Sequence, residues 1–511
     1  MNKLKILRIV VSLTFFVFFI FLFSGIVPYD FFLTKWLVHL QLIPALINSI
    51  VNHSFIFVLI LIAVLTLVFG RVYCSVLCPF GTLQDVFIFL KYKFARNKFY
   101  KKQKNHKIFR YVFVAVLFVV FFSGSVTLLS IFEPYSNFGR ITNEVIKPAV
   151  YFINNLISSV LQKFDLYSVK KTEMHGFNRK SFFYSLVIFI LIGGLSFFKG
   201  RFFCNTLCPA GALLGLISKF SVFRIKISKE KCNSCGLCSN VCKAGCIDCG
   251  AKKIDNETCI YCFNCLDSCK KDGIKYSYGF FKRKTDKTDE TKRDFLAKTM
   301  TGIITFAIAT SPVKVFANSI LIKKKTPVIL PPGAQSMDNF RKKCTSCHLC
   351  VASCPTKVLT PAFNGTGLKS FLQPEMNYSK SYCLYDCNVC SQVCPTGAIR
   401  PMPVEKKKRI QIGVAKFIQK NCVVYENETD CGICNEYCPT KAVILVPYKN
   451  GLGIPFVREN ICIGCGACEN ACPALPNKAI YVEGKVRHDT AQMPETGKQK
   501  KKTEEQTEFP F

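Results

Sequence analysis

The sequence predicts a multi-domain chain: an α-helical membrane bundle of four spans arranged as a two-copy repeat, followed by two small α+β domains built on strings of cysteine. Three observations predict it. Half of the 511 residues are apolar, and mean hydropathy is +0.26, too greasy for a purely water-soluble chain of this length. Uncharged apolar runs occupy residues 9–29, 54–70, 111–132 and 181–198, each about long enough to cross a bilayer as a helix. Most of the thirty cysteines stand two or three residues apart, a spacing that suits metal ligation better than disulfide cross-linking.

The first run is too long for the apolar core of a cleavable signal peptide and reads as a retained span. Basic residues set the orientation. Lys3, Lys5 and Arg8 precede the first span, and residues 91–110 carry nine Lys or Arg with no acid, whereas residues 27–53 carry only Lys35. The N-terminus and the 91–110 loop are therefore expected in the cytoplasm. Pro44 with Gln41, Asn48 and Asn52 argues against a span at residues 36–50, and residues 145–161 read as an interfacial segment. The domain boundaries expected are 1–225 for the membrane part, 226–280 and 335–485 for the cysteine domains, 281–334 for a charged linker and 486–511 for a disordered polar tail.

Each half of the membrane part ends in the same motif, "GRVYCSVLCPFG" from Gly70 and "GRFFCNTLCPAG" from Gly200. In a repeat with two spans per copy both motifs emerge on the same side, so Cys74, Cys78, Cys204 and Cys208 can converge. A spacing of four aligns each pair on one helical face. Pro79 and Pro209 suit the start of a new helix. Arg71 and Arg201 bring positive charge that favours thiolates. The four cysteines are expected to hold an iron–sulfur centre or to act as redox thiols; zinc and simple packing are the alternatives.

Residues 232–242 and 259–269 both read C-x2-C-x2-C-x3-C. Three close cysteines wrap one cubane while the fourth reaches across a pseudo-two-fold axis. That assigns Cys232, Cys235, Cys238 and Cys269 to one [4Fe–4S] cluster and Cys259, Cys262, Cys265 and Cys242 to another, in a bacterial-ferredoxin-like domain. Cys246 and Cys249 are surplus, either bystanders or substitutes for a ligand. Lys243 and Lys270 stand where proline usually follows the fourth cysteine.

The second cysteine domain has four strings, each ending in Cys-Pro: Cys344, Cys347, Cys350, Cys354; Cys383, Cys387, Cys390, Cys394; Cys422, Cys431, Cys434, Cys438; and Cys462, Cys465, Cys468, Cys472. Sixteen ligands provide for four cubanes, giving six [4Fe–4S] clusters in all. Nested pairing is expected, first string with fourth and second with third. His348, inside a complete string, is expected to face solvent.

The formal charge of +36 would suit nucleic acid or an anionic membrane face. No basic and aromatic interleaving of a nucleic-acid module is present, and lysine-rich loops beside membrane lipid account for the surplus.

Residues 1–280, with the doubled motif and the paired strings, resemble the membrane polyferredoxin of periplasmic nitrate reductase systems, the NapH type; related membrane proteins of nitrous-oxide reduction (NosR) and cytochrome oxidase assembly (CcoG) share the doubled motif. Residues 291–483, with "KRDFLAK", "LPPGA" and four strings, resemble the exported four-cluster partner, the NapG type. "TKRDFLAK" resembles a twin-arginine export signal with Lys292 in place of the first arginine. The resemblance implies a fusion protein in the inner membrane, with its first ferredoxin domain cytoplasmic and its second periplasmic. It implies quinol dehydrogenase activity: electrons pass from the quinone pool through the clusters to a periplasmic reductase or cytochrome in anaerobic respiration. Glu133 is the expected proton acceptor, with Arg140, His39 and His53 as neighbours, and Arg71, Arg201 and Arg140 are expected to face a cofactor. Haem is not expected, since no C-x-x-C-H or paired histidine pattern is present. The alternative function is an assembly or maintenance factor that reduces a metal centre in another respiratory enzyme.

Overall fold

The computed structural model describes residues 3–26, 32–53, 55–95, 100, 107–169, 171, 178–269, 271–279, 328–363 and 370–492. The twin-arginine-like run and the end of the polar tail lie outside the described residues. The first part is helical: α1 (Lys3–Ser24), α2 (Phe32–His39), α3 (Leu42–Asn52), α4 (Ile56–Phe69), α5 (Tyr73–Val76), α6 (Pro79–Phe94), α7 (Lys107–Phe122), α8 (Thr127–Phe132), α9 (Pro134–Ile141), a π-helical turn (Thr142–Ile146), α10 (Lys147–Gln162), α11 (Arg179–Lys199), α12 (Phe202–Thr206) and α13 (Pro209–Ser218).

Two helices, α1 and α11, are long and apolar enough to cross a membrane. The other expected spans are shorter. Helix α4 has 14 residues, and the run 111–132 is broken by Gly124, whose φ of +92° no helix accepts, into α7 and α8. The segment around Pro44 forms two short helices, α2 and α3, divided at Leu40 and Gln41.

The two ferredoxin-type regions lie at opposite ends of these helices. At one end, Lys5 at the start of α1 pairs with Asp267 at 2.7 Å, Lys107 at the start of α7 pairs with Asp255 at 3.5 Å, and the Phe69 carbonyl at the end of α4 accepts from Tyr276. At the other end, Lys343 donates to Asn52 at 2.7 Å, Asn48 donates to the Pro395 carbonyl at 3.2 Å, and Asn178 before α11 donates to the Pro361 carbonyl.

The first region is closed by an antiparallel pair, β1 (Phe223–Ile227) with β4 (Ile274–Tyr278), in register from Phe223↔Tyr278 to Ile227↔Ile274; within it β2 (Ile247–Asp248) pairs with β3 (Lys253–Ile254). The second region has three antiparallel pairs. These are β5 (Leu359–Pro361) with β6 (Pro374–Met376), β8 (Val443–Pro447) with β9 (Gly453–Val457), and β7 (Ile410–Phe417) with β10 (Ile480–Thr490). Strand β10 runs past the expected boundary at residue 485, because Asp489 and Thr490 still pair with Gln411 and Ile410. The expected disordered tail is thus ordered through residue 492.

Candidate functional site: a line of cysteine sets

The doubled motif forms a buried two-fold arrangement. Cys74, Cys78, Cys204 and Cys208 all lie in the core, and Cys78 interacts electrostatically with Cys74, Cys204 and Arg201. Each arginine serves both copies: Arg71 reaches Cys74 Sγ at 3.8 Å and the Cys204 carbonyl at 3.3 Å, and Arg201 reaches Cys204 Sγ at 3.8 Å and the Cys74 carbonyl at 3.3 Å. The pairs do not share one helical face as expected. Cys74 sits in α5 and Cys204 in α12, whereas Cys78 and Cys208 are extended N-cap residues of α6 and α13, with Pro79 and Pro209 opening the new helices.

The glycines after the prolines keep the two copies close. A Cβ on Gly81 would stand 2.3 Å from the Cys74 carbonyl oxygen, and one on Gly211 would stand 2.1 Å from the Cys204 oxygen. Because backbone must move to relieve this, Gly211→Ala is expected to destabilise the chain by at least about 1–3 kcal/mol. A thermal melt followed by thiol labelling of the buried cysteines would measure it.

The two copies then diverge, and the divergence carries residues missed by motif matching. Gln84 Nε2 donates to Cys204 Sγ at 3.2 Å, and Asp85 binds Arg201, Lys243 and Arg8; the second copy has Leu214 and Gly215 at these positions. A Cβ on Gly215 would fall 2.1 Å from Arg110 Nη2, so glycine there admits a third buried arginine, which pairs with Glu257 at 3.5 Å. Tyr73, where the second copy has Phe203, donates to Gln41 Oε1 at 3.1 Å and accepts from the Leu42 N–H at 3.0 Å. The repeat's asymmetry was the available signal for all of these.

In the first ferredoxin-type region, Cys232, Cys235, Cys238, Cys269 and Cys249 line one cavity of about 180 Å³. Cys265 interacts with Cys262, Cys259 and Cys242 as a second set. The surplus thiols divide between them: Cys249 lies 3.4 Å from Cys238, and Cys246 lies 3.5 Å from Cys242.

In the second region the nested expectation is overturned. Cys344, Cys347 and Cys350 share a cavity with Cys394, the last cysteine of the second string, and Cys422, Cys431 and Cys434 share one with Cys472, the last of the fourth. Cys390 interacts with Cys383, Cys387 and Cys354, and Cys468 with Cys465, Cys462 and Cys438. Adjacent strings therefore exchange their fourth cysteines, the short-range crossing that a local two-fold permits. The four sets form a line. Cys350 interacts with Cys390, the Cys383 N–H donates to the Cys465 carbonyl at 2.9 Å, and Cys468 interacts with Cys434.

The four evenly spaced strings share one backbone device. The residues on either side of the middle cysteine have positive φ: Ser234 and Gly236, Tyr261 and Phe263, Ser346 and His348, Gly464 and Gly466. Such alternation curls the loop and turns N–H groups inward around an anionic centre. Further N–H groups meet ligand sulfurs directly: Gly273 on Cys269, Ile399 on Cys394, Ala415 on Cys462 and Ala442 on Cys438, at 3.2–3.4 Å. Sets of four cysteines with N–H donors aimed at their sulfurs suit [4Fe–4S] cubanes.

The Cys344 end of the line meets the helical part of the chain. Arg140 is fully buried and interacts with Cys347 and Cys344, and the Cys347 carbonyl packs against Gly139. Glu133, the expected proton acceptor, has another job here. It is the N-cap of α9, its carboxylate accepting from the Tyr135 N–H at 2.9 Å and from the Ser136 N–H, with Pro134 opening the helix. His348 is buried and not solvent-facing, since its string docks on the π-helical turn: Nε2 lies 2.9 Å from the Leu372 carbonyl and Nδ1 3.9 Å from Glu144. Burial, reinforced by Arg140, lowers its pKa to about 3, so this imidazole is neutral.

Beside this junction opens a cavity of about 820 Å³ between α2, α3 and the second string. Its wall includes Trp36, His39, His53, Phe55, Arg400 and Cys394. His39 stacks on Phe55, centroids 4.1 Å apart at 14°, and its Nδ1 has no hydrogen-bond partner. The structure thus gathers His39 and His53 and leaves Glu133 and Arg140 packed in the core.

Comparisons with known proteins agree with this geometry. Residues 51–97 and 181–228, which contain the doubled motif, match a family described as a 4Fe-4S binding domain. Residues 343–398, which hold the first two strings, and 429–476, which hold the fourth string and all of the third but Cys422, match a 4Fe-4S dicluster domain. Uncharacterized protein MJ0750 of Methanocaldococcus jannaschii is 30% identical over 292 residues, 55% of this chain and 100% of its own. Methylamine utilization ferredoxin-type protein MauM of Methylobacillus flagellatus is 30% identical over 215 residues, 39% of this chain and 87% of its own. Ferredoxin-type protein NapF of Escherichia coli K12 is 27% identical over 161 residues, 31% of this chain and 89% of its own. No solved structure matches. The chain belongs to the ferredoxin-type protein family that includes MauM, and it is an iron–sulfur electron-transfer protein.

Proposed function

We propose that the chain is a multi-pass inner-membrane relay that takes electrons from quinol and delivers them to a redox partner outside the membrane, a reductase or cytochrome. This is the activity implied by the NapH-type and NapG-type resemblance. The cavity beside Cys394 carries the reading. It offers aromatic walls for a quinone ring, the imidazole of His39 as a proton acceptor, and a ligand sulfur of the Cys344 set within the same wall. Six [4Fe–4S] clusters, held by the cysteine sets above, would supply one-electron transfer along the line.

Four helices, α1, α4, α7 and α11, cross the bilayer in this reading. Supporting it, their ends alternate between the two ferredoxin-type regions, and they expose an apolar belt that includes Phe57, Ile60, Ile108, Phe183, Val187 and Ile190. The N-terminal cysteine domain then faces the cytoplasm and the four-set domain the periplasm. The Cys74, Cys78, Cys204 and Cys208 group is a further redox centre between them. Its Tyr73 interacts with Cys78 and Glu133, and Glu133 interacts with Cys347. On the cytoplasmic face Arg71 donates to the Glu257 carbonyl at 3.0 Å and the Arg201 N–H to the Lys243 carbonyl at 2.9 Å.

Trp36 is the chain's sole tryptophan, so its fluorescence reports on the cavity alone. A short-chain menaquinone should quench it saturably. Anaerobic protein carrying about 24 or more irons, as six cubanes require, should show its cluster EPR signals on adding menaquinol. Burial lowers His39 below its ordinary 6.5, against a hydrogen bond to Pro395. The neutral ring is the proton acceptor, so the rate should rise with pH through an acid limb lying below 6.5. His39→Gln should remove that limb and slow reduction by about 10²-fold or more, while the Trp36 quench persists. Full iron without reduction by quinol would move the function to reduction of a metal centre in another respiratory enzyme.

A further inference from the structure

The line of cysteine sets that begins at the membrane junction ends at Cys422, Cys431, Cys434 and Cys472, and the surface there differs from the rest of the molecule. The chain carries 68 basic and 32 acidic residues. Yet residues 421–440 contain no Lys or Arg, while Glu426, Glu428, Asp430 and Glu436 are all exposed. None of these four carboxylates forms an ion pair among the described residues. Exposed apolar side chains belong to the same region. Tyr425 is 43% exposed, Tyr437 50%, Phe456 55% and Leu475 83%.

Each is tied to the terminal set. Tyr425 lies on the short helix capped by Cys422, and Tyr437 caps the end of the short helix that carries Cys434. Phe456 follows Pro455, and Leu475 follows Ala474, both residues of the wall that encloses the four cysteines. An apolar centre with a charged rim is the anatomy of a transient protein interface. The rim selects partners by sign and accelerates encounter, and the apolar centre holds the redox groups close.

We propose that this face docks a soluble one-electron carrier protein whose redox centre is ringed by lysines. The inference rests on the relay reading for its purpose, but docking is measured by itself. It commits to a cationic carrier because uncompensated carboxylates would repel an anionic one, and because the rest of this basic chain offers no comparable acidic face in sequence.

The test uses the full chain in detergent with a lysine-rich c-type cytochrome as probe and an acidic flavodoxin as control. Binding should be seen for the cytochrome and should weaken as salt rises. The exposed triple substitution Glu426→Lys, Glu428→Lys, Asp430→Lys should raise the Kd for the cytochrome by about ten-fold or more and flatten its salt dependence. Leu475→Ser with Tyr437→Ser should weaken binding at high salt as well, since it removes contact area and no charge. Unchanged cytochrome affinity in the triple variant, or equal binding of the flavodoxin by the native chain, would overturn the proposal. Failure of the relay is separately visible: tight, charge-dependent docking without electron exchange would leave this face intact as a docking site and remove the relay.

Discussion

Replacing Cys78 and Cys208 together by serine is expected to cut the two ferredoxin-type regions off from one another while leaving each loaded with iron. Both cysteines are buried N-cap residues, and serine keeps their size and their capping chemistry, so helices α6 and α13 should still form. Lost is half of the four-sulfur group. A hydrocarbon layer of roughly 30 Å separates the two faces of a bilayer, and no other cysteine lies between the two regions among the described residues. In vesicles given a membrane-impermeant reductant on the cytoplasmic side only, the native chain should reduce its outer sets, and the double variant should not. Menaquinol, for which the Trp36 and His39 cavity is the proposed entry, should still reduce the outer sets of the variant. Iron counting on the same samples separates a metal centre from a pair of redox thiols. A drop from above about 24 irons per chain to about 24 identifies a centre; an unchanged count with the same loss of transfer identifies thiol chemistry. Retention of both functions would reduce the doubled motif to packing.

What the residues announced, and what they did not, divides along sequence separation. The cysteine strings were legible because one loop wraps each set of three, and the doubled Gly-Arg-x-x-Cys-x-x-x-Cys-Pro because both copies meet on an axis that the repeat itself generates. The pairing of strings was not legible: spacing within a string says nothing about which neighbour supplies the fourth sulfur, and the structure chose adjacent strings over nested ones. Residues set by contacts between distant segments were hidden too. His348 is buried only because its loop docks near Arg140, and the cavity joins residues 36–55 to residues 391–401. Glu133 is different, since Glu followed by Pro is a recognisable helix start and its capping role could have been read directly. Length misled at the third expected span, where Ser123-Gly124-Ser125 divides the apolar run.

The largest stability effect should come from one carboxylate. Asp85 Oδ1 accepts from Arg201 Nε at 3.0 Å and pairs with Lys243 at 3.2 Å, and Oδ2 accepts from Arg8 at 2.9 Å. It thereby ties α1, the start of the second motif, and the residue after Cys242 to α6. Burial alone would raise its pKa, but Arg201, Lys243 and Arg8 together hold the carboxyl well below the ordinary range. A depressed carboxylate contributes stability that is present above the unfolded value of about 3.9. That contribution is lost only as pH falls toward the lower folded value, so it is intact at neutral pH. Asp85→Ala would leave Arg8, Arg201 and Lys243, each less than one-tenth exposed, to repel one another without a counter-ion. Removing one member of a buried pair costs about 3–5 kcal/mol, and here three cations lose one partner. The variant should therefore fail to accumulate as folded protein, or should melt far below the native chain. Adding Lys243→Met should recover part of the loss, because it removes one of the stranded charges and keeps the stem's volume. If Asp85→Ala accumulates and melts like the native chain, the carboxylate does not hold the first ferredoxin-type region to the helices.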